Sequence, residues 1–479
     1  MSFLTPSYLL FFPAAAVFYY LLPARAKNPW LLLCSWFFYL CAGPQYFAFL
    51  LFAIVTTYTA GLRLEKKRSR LTLGLAVGAQ IALLFVFKYL GFALSLVARA
   101  LRAAGLAFEQ PALSLILPLG ISFYLFQAMG YLVDVYRGKR PAQRNFIKYA
   151  LFISFFSSLL SGPIGRSDQL LPQFDAPRPF CWTGVKSGLI RFLWGAFQKL
   201  VVADRLGAVT AAVFAAPHNY STLQLWGAAA AFSLQIYCDF AAYSDMACGC
   251  AEAMGFSLIQ NFRTPYFSRS IQEFWRRWHI SLSSWFRDYL YFPLGGSRRG
   301  TARKYLNVLV VFAVSGLWHG AALTFVVWGL LNGLYQVIGG LSAPLRQKIR
   351  QSLRLHDDGR LCILWQTACT FVLATIAWVF FKAGSLHAAL SVLRGMFLPR
   401  AGTGLTLFAG LHELFAAALG LLFVLARDLW SLRCDPPRRL AEGNRAVRWV
   451  LCLGLLMLTL VLGTYGTGYD AQDFIYFKF

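Results

Sequence analysis

The sequence predicts an all-α integral membrane protein that crosses the bilayer many times. Of the 479 residues, 58% are hydrophobic and 13% are charged, whereas soluble proteins carry about 25% charged residues. Continuous apolar runs recur along the whole chain, and a helix needs roughly 20 residues to cross a bilayer. We therefore expect one integral domain over residues 1–479 whose main partner is the lipid bilayer.

The apolar runs indicate roughly eleven spans, since each run is long enough to cross or nearly cross the hydrocarbon core. The first run, Met1–Leu22, has no basic n-region or small-residue cleavage site, so we expect a retained helix and not a cleaved signal. The second has room for two spans broken at Gly43-Pro44. The runs lie near residues 7–22, 29–60, 71–101, 112–135, 149–162, 186–216, 223–255, 305–340, 361–382, 405–426 and 447–466.

Basic residues concentrate in short loops between the apolar runs. The formal net charge is +26, from 45 Lys and Arg against 19 Asp and Glu. Such loops normally face the cytoplasm, so topogenic charge explains most of them and we expect no nucleic-acid partner. The predicted cytoplasmic loops are residues 63–70, 137–148, 346–354 and 427–448. The aromatic tail, Tyr469–Phe479, is predicted to lie at the membrane interface.

The segment Asn261–Lys304 is too charged to span a membrane, yet it is rich in aromatic residues. Its pattern predicts an amphipathic helix that lies in the interface or re-enters the membrane, broken at 292–296. The apolar stripe comprises Ile271, Phe274, Trp275, Trp278, Leu282, Trp285, Phe286 and Tyr289. The polar side comprises Glu273, Arg276, Arg277, Ser284, Arg287 and Asp288, and His279 lies at the edge of the stripe.

His319 is the first candidate for chemistry, because it lies in an apolar stretch from about Tyr305 to Val337 that contains no carboxylate. An ionisable group at membrane depth is a functional-site hypothesis. Small residues at Gly316 and at 320–322 leave room for a ligand or for a closely packed helix. A neutral imidazole is a good general base. The alternative is a structural histidine that is hydrogen-bonded to a neighbouring helix.

His279 is the second candidate, as an active-site group or as an interfacial histidine without a chemical role. Neither histidine has carboxylate or thiol neighbours at metal-ligand spacing, and the ten cysteines form no CxxC pair, so we expect no metal. The signatures of ATP hydrolysis, hydride transfer and serine hydrolysis are also absent from the sequence.

Four polar residues interrupt the apolar run at 223–255: Asp239, Ser244, Asp245 and Glu252. Buried acids need partners, and arginines of the amphipathic segment are the expected ones. A structural ion pair is favoured over a catalytic role.

Four stretches, at residues 260–266, 274–282, 287–296 and 316–320, resemble the membrane-bound O-acyltransferase (MBOAT) family. The pattern is most similar to its bacterial branch of alginate O-acetyltransferase membrane subunits. Further matches to that branch lie at residues 235–240, 243–245 and 474–477. The resemblance implies a ring of tilted helices around a central funnel, with a core region at about 115–340.

The resemblance also implies a reaction and its residues. An acyl group, expected to be acetyl, moves from a cytoplasmic thioester such as acetyl-CoA towards an extracytoplasmic polysaccharide, with no tightly bound cofactor. His319 matches the invariant histidine and His279 the second prominent polar position, and His279 or Trp278 is expected to orient substrate or stabilise the oxyanion. The residues expected to bind substrate are Trp275, Trp278, Arg276, Trp318 and Asp288.

Members of this branch are multi-pass proteins of the bacterial cytoplasmic membrane and work with a separate extracytoplasmic partner acyltransferase. Two alternatives remain at this stage. One is D-alanyl transfer to teichoic acid, and the other is a non-enzymatic exporter of polysaccharide or lipid, or a membrane scaffold. The acceptor polymer is left open by the sequence.

Overall fold

The structure, a computed structural model, describes residues 1–106, 116–160, 162–352, 359–403, 406, 410–465 and 474–475. Within these residues every regular element is a helix and no strand occurs. The all-α prediction is confirmed. Parts of several predicted segments lie outside the described residues, namely 112–115, 161, 353–354, 405, 407–409, 466 and most of the tail at 469–479.

Six helices in the described ranges are long and apolar enough to cross a membrane. They are Pro44–Lys66, Arg70–Ala103, Leu323–Leu341, Arg360–Lys382, Leu411–Ser431 and Arg445–Leu462. Three shorter apolar helices accompany them: Pro6–Leu21, Phe146–Leu159 and Leu386–Phe397. These helices fit a multi-pass membrane protein, and the count of about eleven spans stays a prediction.

The internal contacts of the chain form two units, and the first comprises Met1–Leu189 with Ala247–Ile259. Its helices are α1 (Pro6–Leu21), α2 (Ala24–Leu40), α3 (Phe47–Lys66), α4 (Arg70–Leu84), α5 (Leu90–Ala103), α6 (Ile121–Tyr136), α7 (Phe146–Ser154), α8 (Phe156–Leu159), α9 (Ser167–Leu170) and the start of α10 (Trp182–Phe197). The predicted break at Gly43-Pro44 is confirmed, because α2 ends at Leu40 and a 3-10 turn at Pro44–Tyr46 precedes α3. Proline favours this break since it restricts the residue before it to non-helical conformations.

The second unit comprises Ile190–Met246 and Gln260–Phe479. It contains the rest of α10, then α11 (Asp204–Ala215), most of α12 (Thr222–Ala253), α13 (Ile271–Arg277), α14 (Ile280–Phe286), α15 (Thr301–His319), α16 (Leu323–Leu341), α17 (Ala343–Ser352), α18 (Arg360–Lys382), α19 (Leu386–Phe397), α20 (Leu411–Ser431), α21 (Pro436–Glu442) and α22 (Arg445–Leu462). The run predicted at 305–340 is therefore a hairpin of two helices, and His319 is the last residue of its first helix.

Two glycines allow α15 and α16 to pack backbone against backbone. A Cβ built on Gly316 would lie 2.2 Å from the carbonyl oxygen of Phe325, and one on Gly329 would lie 2.2 Å from that of Phe312. Neither carbonyl oxygen can move away easily, because both belong to helix backbones. Small residues at helix crossings are typical of membrane proteins for this reason.

We expect Gly316→Ala to destabilise the second unit by about 1–3 kcal/mol, since the added methyl group forces the two helices apart. Gly339→Ala is the matched control, because a Cβ built there on α16 has no described atom within 4 Å apart from the local backbone of its own helix. Thermal unfolding of both variants in detergent measures the difference. Equal melting temperatures for the two would contradict the tight crossing.

The predicted amphipathic helix is wrong as a single element. The structure has two short helices, α13 and α14, separated by Trp278 and His279, and a π-helical turn follows at Arg287–Tyr291. His279 has a left-handed backbone with φ of 42°. The helical periodicity is present in the sequence, but the helix is interrupted where Asn261 accepts hydrogen bonds from the N–H groups of Ile280 and Ser281 at the start of α14.

The partners expected for two of the acids of α12, Asp239 and Asp245, are also wrong. Asp239 forms an ion pair with Lys199 at 2.8 Å, and Lys199 also pairs with Asp204 at 2.6 Å. Asp245 pairs with Arg427 at 3.1 Å and with Arg191 at 3.7 Å. These cations lie on α10, on the π-helical turn that follows it and on α20, not on the amphipathic segment. The prediction of structural ion pairs holds, because cations from other helices compensate these acids as burial requires.

The interfacial position of the tail stays a prediction, and the structure describes two of its residues. Phe474 is fully buried and Ile475 is 7% exposed. The backbone N–H of Ile475 donates to a carboxylate oxygen of Asp239 at 2.9 Å, and the ring of Phe474 lies 4.0 Å from that of Tyr243. Burial of an apolar side chain in this way contributes favourable free energy to folding.

Candidate active site

The end of α15 places His319 in a box of aromatic rings. The imidazole centroid lies 5.0 Å from the ring of Trp328 on α16 and 5.5 Å from Phe381 on α18. Trp318 packs edge-on against it at 5.0 Å. The side chain is 3% exposed. The α15–α16 hairpin therefore fixes His319 among rings from three helices.

His279 lies beside this box, with its ring centroid 6.4 Å from that of His319 and 6.1 Å from Trp318. The edge of Phe240 on α12 contacts it at 4.6 Å. His279 lies outside the six candidate spans, and burial lowers its pKa to about 3. Its imidazole is therefore neutral at physiological pH, with one nitrogen as a donor and the other as an acceptor.

A cavity of about 1220 Å³ opens in the same unit, between the α13–α14 segment and helices α15 to α18. Its inner wall includes Trp275, Phe312, Ser315, Thr370 and Leu373. Six cationic side chains also line it, and they are Arg269, Arg276, Arg287, Lys304, Arg346 and Arg350. A basic mouth with an apolar interior suits a ligand that has anionic groups at one end.

The cavity ends close to the two histidines but is not lined by either of them. Ser315, which lines it, lies one helical turn before His319 on the same face of α15. Trp275, which also lines it, packs at 5.7 Å against Trp328, the residue in contact with His319. In this direction Trp275 and Trp328 lie between the cavity and the imidazole of His319.

The sequence of residues 139–383 matches that of the MBOAT, membrane-bound O-acyltransferase, family. The match includes α15, α16 and both histidines. The chain belongs to the MBOAT family. It is thus a multi-pass membrane protein and an acyltransferase.

Several known proteins are similar to this one over most of the chain. The probable alginate O-acetylase AlgI of Pseudomonas putida is 36% identical over 98% of this chain and 98% of its own. Its namesake in Pseudomonas fluorescens is 38% identical over 81% of this chain and 74% of its own. The peptidoglycan O-acetyltransferase of Helicobacter pylori is 36% identical over 83% of this chain and 80% of its own.

The five substrate-binding residues predicted for this MBOAT chain lie in three different places. Trp275 and Arg276 line the cavity. Trp278 and Trp318 are 1% and 3% exposed and lie in the aromatic cluster of the histidines, where Trp278 packs at 5.0 Å against Trp378. Asp288 does not line the cavity, and it forms an ion pair with Arg287 at 3.0 Å.

Sequence reasoning missed three rings that frame His319: Trp328, Trp378 and Phe381. Trp328 and Trp378 stack at 5.4 Å, and Trp378 packs at 5.2 Å against Phe381. All three lie in long apolar runs, where lipid-facing and buried positions look the same. Trp328 lies on α16, whereas Trp378 and Phe381 lie on α18. Local periodicity within one helix cannot show that side chains from two helices pack together.

Proposed function

We propose that this protein transfers an acetyl group from cytoplasmic acetyl-CoA to hydroxyl groups of an extracellular or cell-wall polysaccharide. The observation that carries the proposal is a pair of buried histidines, with ring centroids 6.4 Å apart, beside a cavity of about 1220 Å³ with a basic mouth. The relatives support acetyl transfer, since their names specify an alginate O-acetylase and a peptidoglycan O-acetyltransferase.

The cavity supports a coenzyme A thioester as the donor. The phosphates of coenzyme A would bind the arginines at its mouth, among them Arg276, Arg346 and Arg350, through charge-assisted hydrogen bonds. The pantetheine arm would extend along the apolar interior towards Ser315. The rise between Ser315 and His319 is roughly 6 Å for four helical residues. The thioester would therefore have to reach about one helical turn beyond Ser315 to contact His319.

The chemistry assigns the role of general base to His319. Its neutral imidazole would take the proton from an acceptor hydroxyl as the hydroxyl oxygen bonds to the thioester carbonyl carbon. The tetrahedral intermediate then expels the thiolate as its C–S bond breaks. The thiolate recovers the proton from the imidazolium, which returns His319 to its neutral form. The net products are an acetyl ester and the free thiol.

His279 and Trp278 would steady the negative charge that develops on the carbonyl oxygen, because fixed donors in a dry site stabilise an oxyanion strongly. The surrounding rings would exclude water, which otherwise competes as the acceptor.

We further propose that the protein lies in the bacterial cytoplasmic membrane. A separate extracytoplasmic partner would complete transfer to the polymer.

The test uses the full chain in detergent with radiolabelled acetyl-CoA and either alginate oligosaccharides or peptidoglycan fragments, with and without co-purifying proteins. Release of free thiol and label in the saccharide are followed together. Label in saccharide supports the proposal. Thiol release equal to a protein-free blank, or transfer from a D-alanyl thioester in preference to acetyl-CoA, would contradict it.

We expect Arg276→Ala combined with Arg350→Ala to raise the KM for acetyl-CoA by about 100-fold or more with little change in kcat, because each of the two lost charged hydrogen bonds costs about 1.5–3 kcal/mol. Added salt should weaken donor binding by the wild type more than by the double variant. Arg438→Ala is the control, since Arg438 forms an exposed pair with Glu442 outside the cavity. An unchanged KM in the double variant would exclude this cavity as the binding site of the donor.

A further inference from the structure

His279 adopts a backbone conformation that its residue type disfavours. Among the non-glycine residues that the structure describes, positive φ angles occur only at Thr264, with φ of 46°, and at His279, with φ of 42°. A left-handed non-glycine residue is uncommon and persists only where surrounding contacts enforce it. A glycine would adopt this turn without strain. The contacts that enforce the turn should therefore be visible around it.

Asn261 supplies two of these contacts. Its main-chain carbonyl accepts a hydrogen bond from the N–H of Ile280 at 3.0 Å. Its side-chain Oδ1 accepts one from the N–H of Ser281 at 3.2 Å. Both N–H groups belong to the first turn of α14, where no intrahelical acceptor exists. Asn261 is 1% exposed, so it caps α14 from a separate segment inside the protein.

The chain is also held on the other side of His279. The N–H of Arg263 donates to the carbonyl of Arg277 at 3.0 Å. The guanidinium of Arg277 donates to the hydroxyl of Thr264 at 3.2 Å. The segment at 261–264 is thus hydrogen-bonded to residues before and after the turn. Thr264 and His279, the two residues with positive φ, both lie within this hydrogen-bonded region.

The geometry points to Asn261 as a positioning residue for His279. By capping α14 it ends α13 at Arg277 and holds the left-handed turn, which brings the imidazole of His279 to 6.4 Å from His319 and 4.6 Å from Phe240. Asn261 contacts neither histidine ring by these bonds and acts through the backbone. The effect on turnover rests on the proposed function, whereas the effect on the ring position does not.

Two substitutions at Asn261 and one elsewhere test this role. Asn261→Ala removes the side-chain acceptor, and Asn261→Asp keeps an oxygen in its place. Asn307→Ala is the matched control, because Asn307 is also 1% exposed and donates to the carbonyls of Leu294 and Gly296. It lies outside both the cavity lining and the aromatic cluster of the histidines.

The first readout is the ring position of His279, which needs no substrate. The chain has six histidines, so ring-labelled histidine gives few NMR signals, and His279→Asn identifies the relevant one. We expect Asn261→Ala to shift this signal as the ring leaves the edge of Phe240. Asn261→Asp should restore it and Asn307→Ala should leave it in place. An unshifted signal in Asn261→Ala would overturn the inference even if the protein transfers no acetyl group.

The second readout is kinetic, in the acetyl-CoA assay described above. We expect Asn261→Ala to lower kcat by about 10- to 100-fold with KM nearly constant, because a displacement of about 1 Å in a catalytic group costs that much. Asn261→Asp should recover most of the rate, and Asn307→Ala should lose thermal stability without losing kcat. The inference fails if the Asp variant is as slow as the Ala variant, or if Asn261→Ala and Asn307→Ala lose rate and stability in equal proportion.

Discussion

His319→Phe should abolish acyl transfer while the protein keeps its stability. Phenylalanine fills the ring space beside Trp328 and Phe381, which pack against the imidazole at 5.0 and 5.5 Å, but it has no nitrogen to accept a proton. A general base typically contributes about 10²- to 10⁴-fold to a rate. We therefore expect kcat to fall about 10²- to 10⁴-fold, measured as acetyl transfer from acetyl-CoA by the purified variant.

His387→Ala provides the control, because His387 is exposed at the start of α19 and lies outside the aromatic cluster. It should transfer acetyl at the wild-type rate. His319→Ala should be as inactive as His319→Phe but less stable, since it leaves a void among the rings. A folded His319→Phe variant that retains a tenth of the wild-type rate would exclude His319 as the base.

Lys199→Met should destabilise the second unit more than any other substitution considered for an ion pair. Lys199 is 2% exposed and lies 2.6 Å from Asp204 and 2.8 Å from Asp239. Its removal leaves two carboxylates close together at low dielectric without a cation. Breaking a buried pair in this way costs about 3–5 kcal/mol. The loss is measured as a lower melting temperature in detergent.

Two comparisons separate charge from packing. Lys199→Met with Asp239→Asn should recover part of the lost stability, because one of the two unpaired charges is removed. Arg438→Ala should cost little, since Arg438 and Glu442 form an exposed pair on α21 and such pairs contribute about 0–1 kcal/mol. A double variant that melts below Lys199→Met would show that lost packing, and not charge, causes the effect.

The parts of the fold that could be predicted from the sequence depend on local composition. Apolar runs marked most helices, and Gly43-Pro44 marked a break that the structure confirms. Resemblance to the family carried the acyltransferase prediction, and the family match confirms it. His319 was selected because an ionisable group in an apolar run stands out against its neighbours. These signals come from residue type and need no knowledge of contacts between distant segments.

The remaining features depend on contacts that local periodicity does not contain. The residues at 271–289 have a good helical stripe, yet the helix is broken at His279, where Asn261 accepts hydrogen bonds from the first turn of α14. Asp239 was assigned to arginines of that segment because they are near in sequence, but its partner is Lys199. Partner choice between helices is set by tertiary packing. The sequence shows that a buried acid needs a cation without showing which one.

The close crossing of α15 and α16 has a consequence for how this enzyme can be redesigned. Gly316 and Gly329 interlock the two helix backbones, so the hairpin that carries His319 and Trp328 behaves as a fixed frame. A change of substrate range is therefore easier to obtain on the opposite wall, where α13 and α14 are only seven residues each. Directed libraries that leave the two glycines intact should retain more folded members than libraries that vary them.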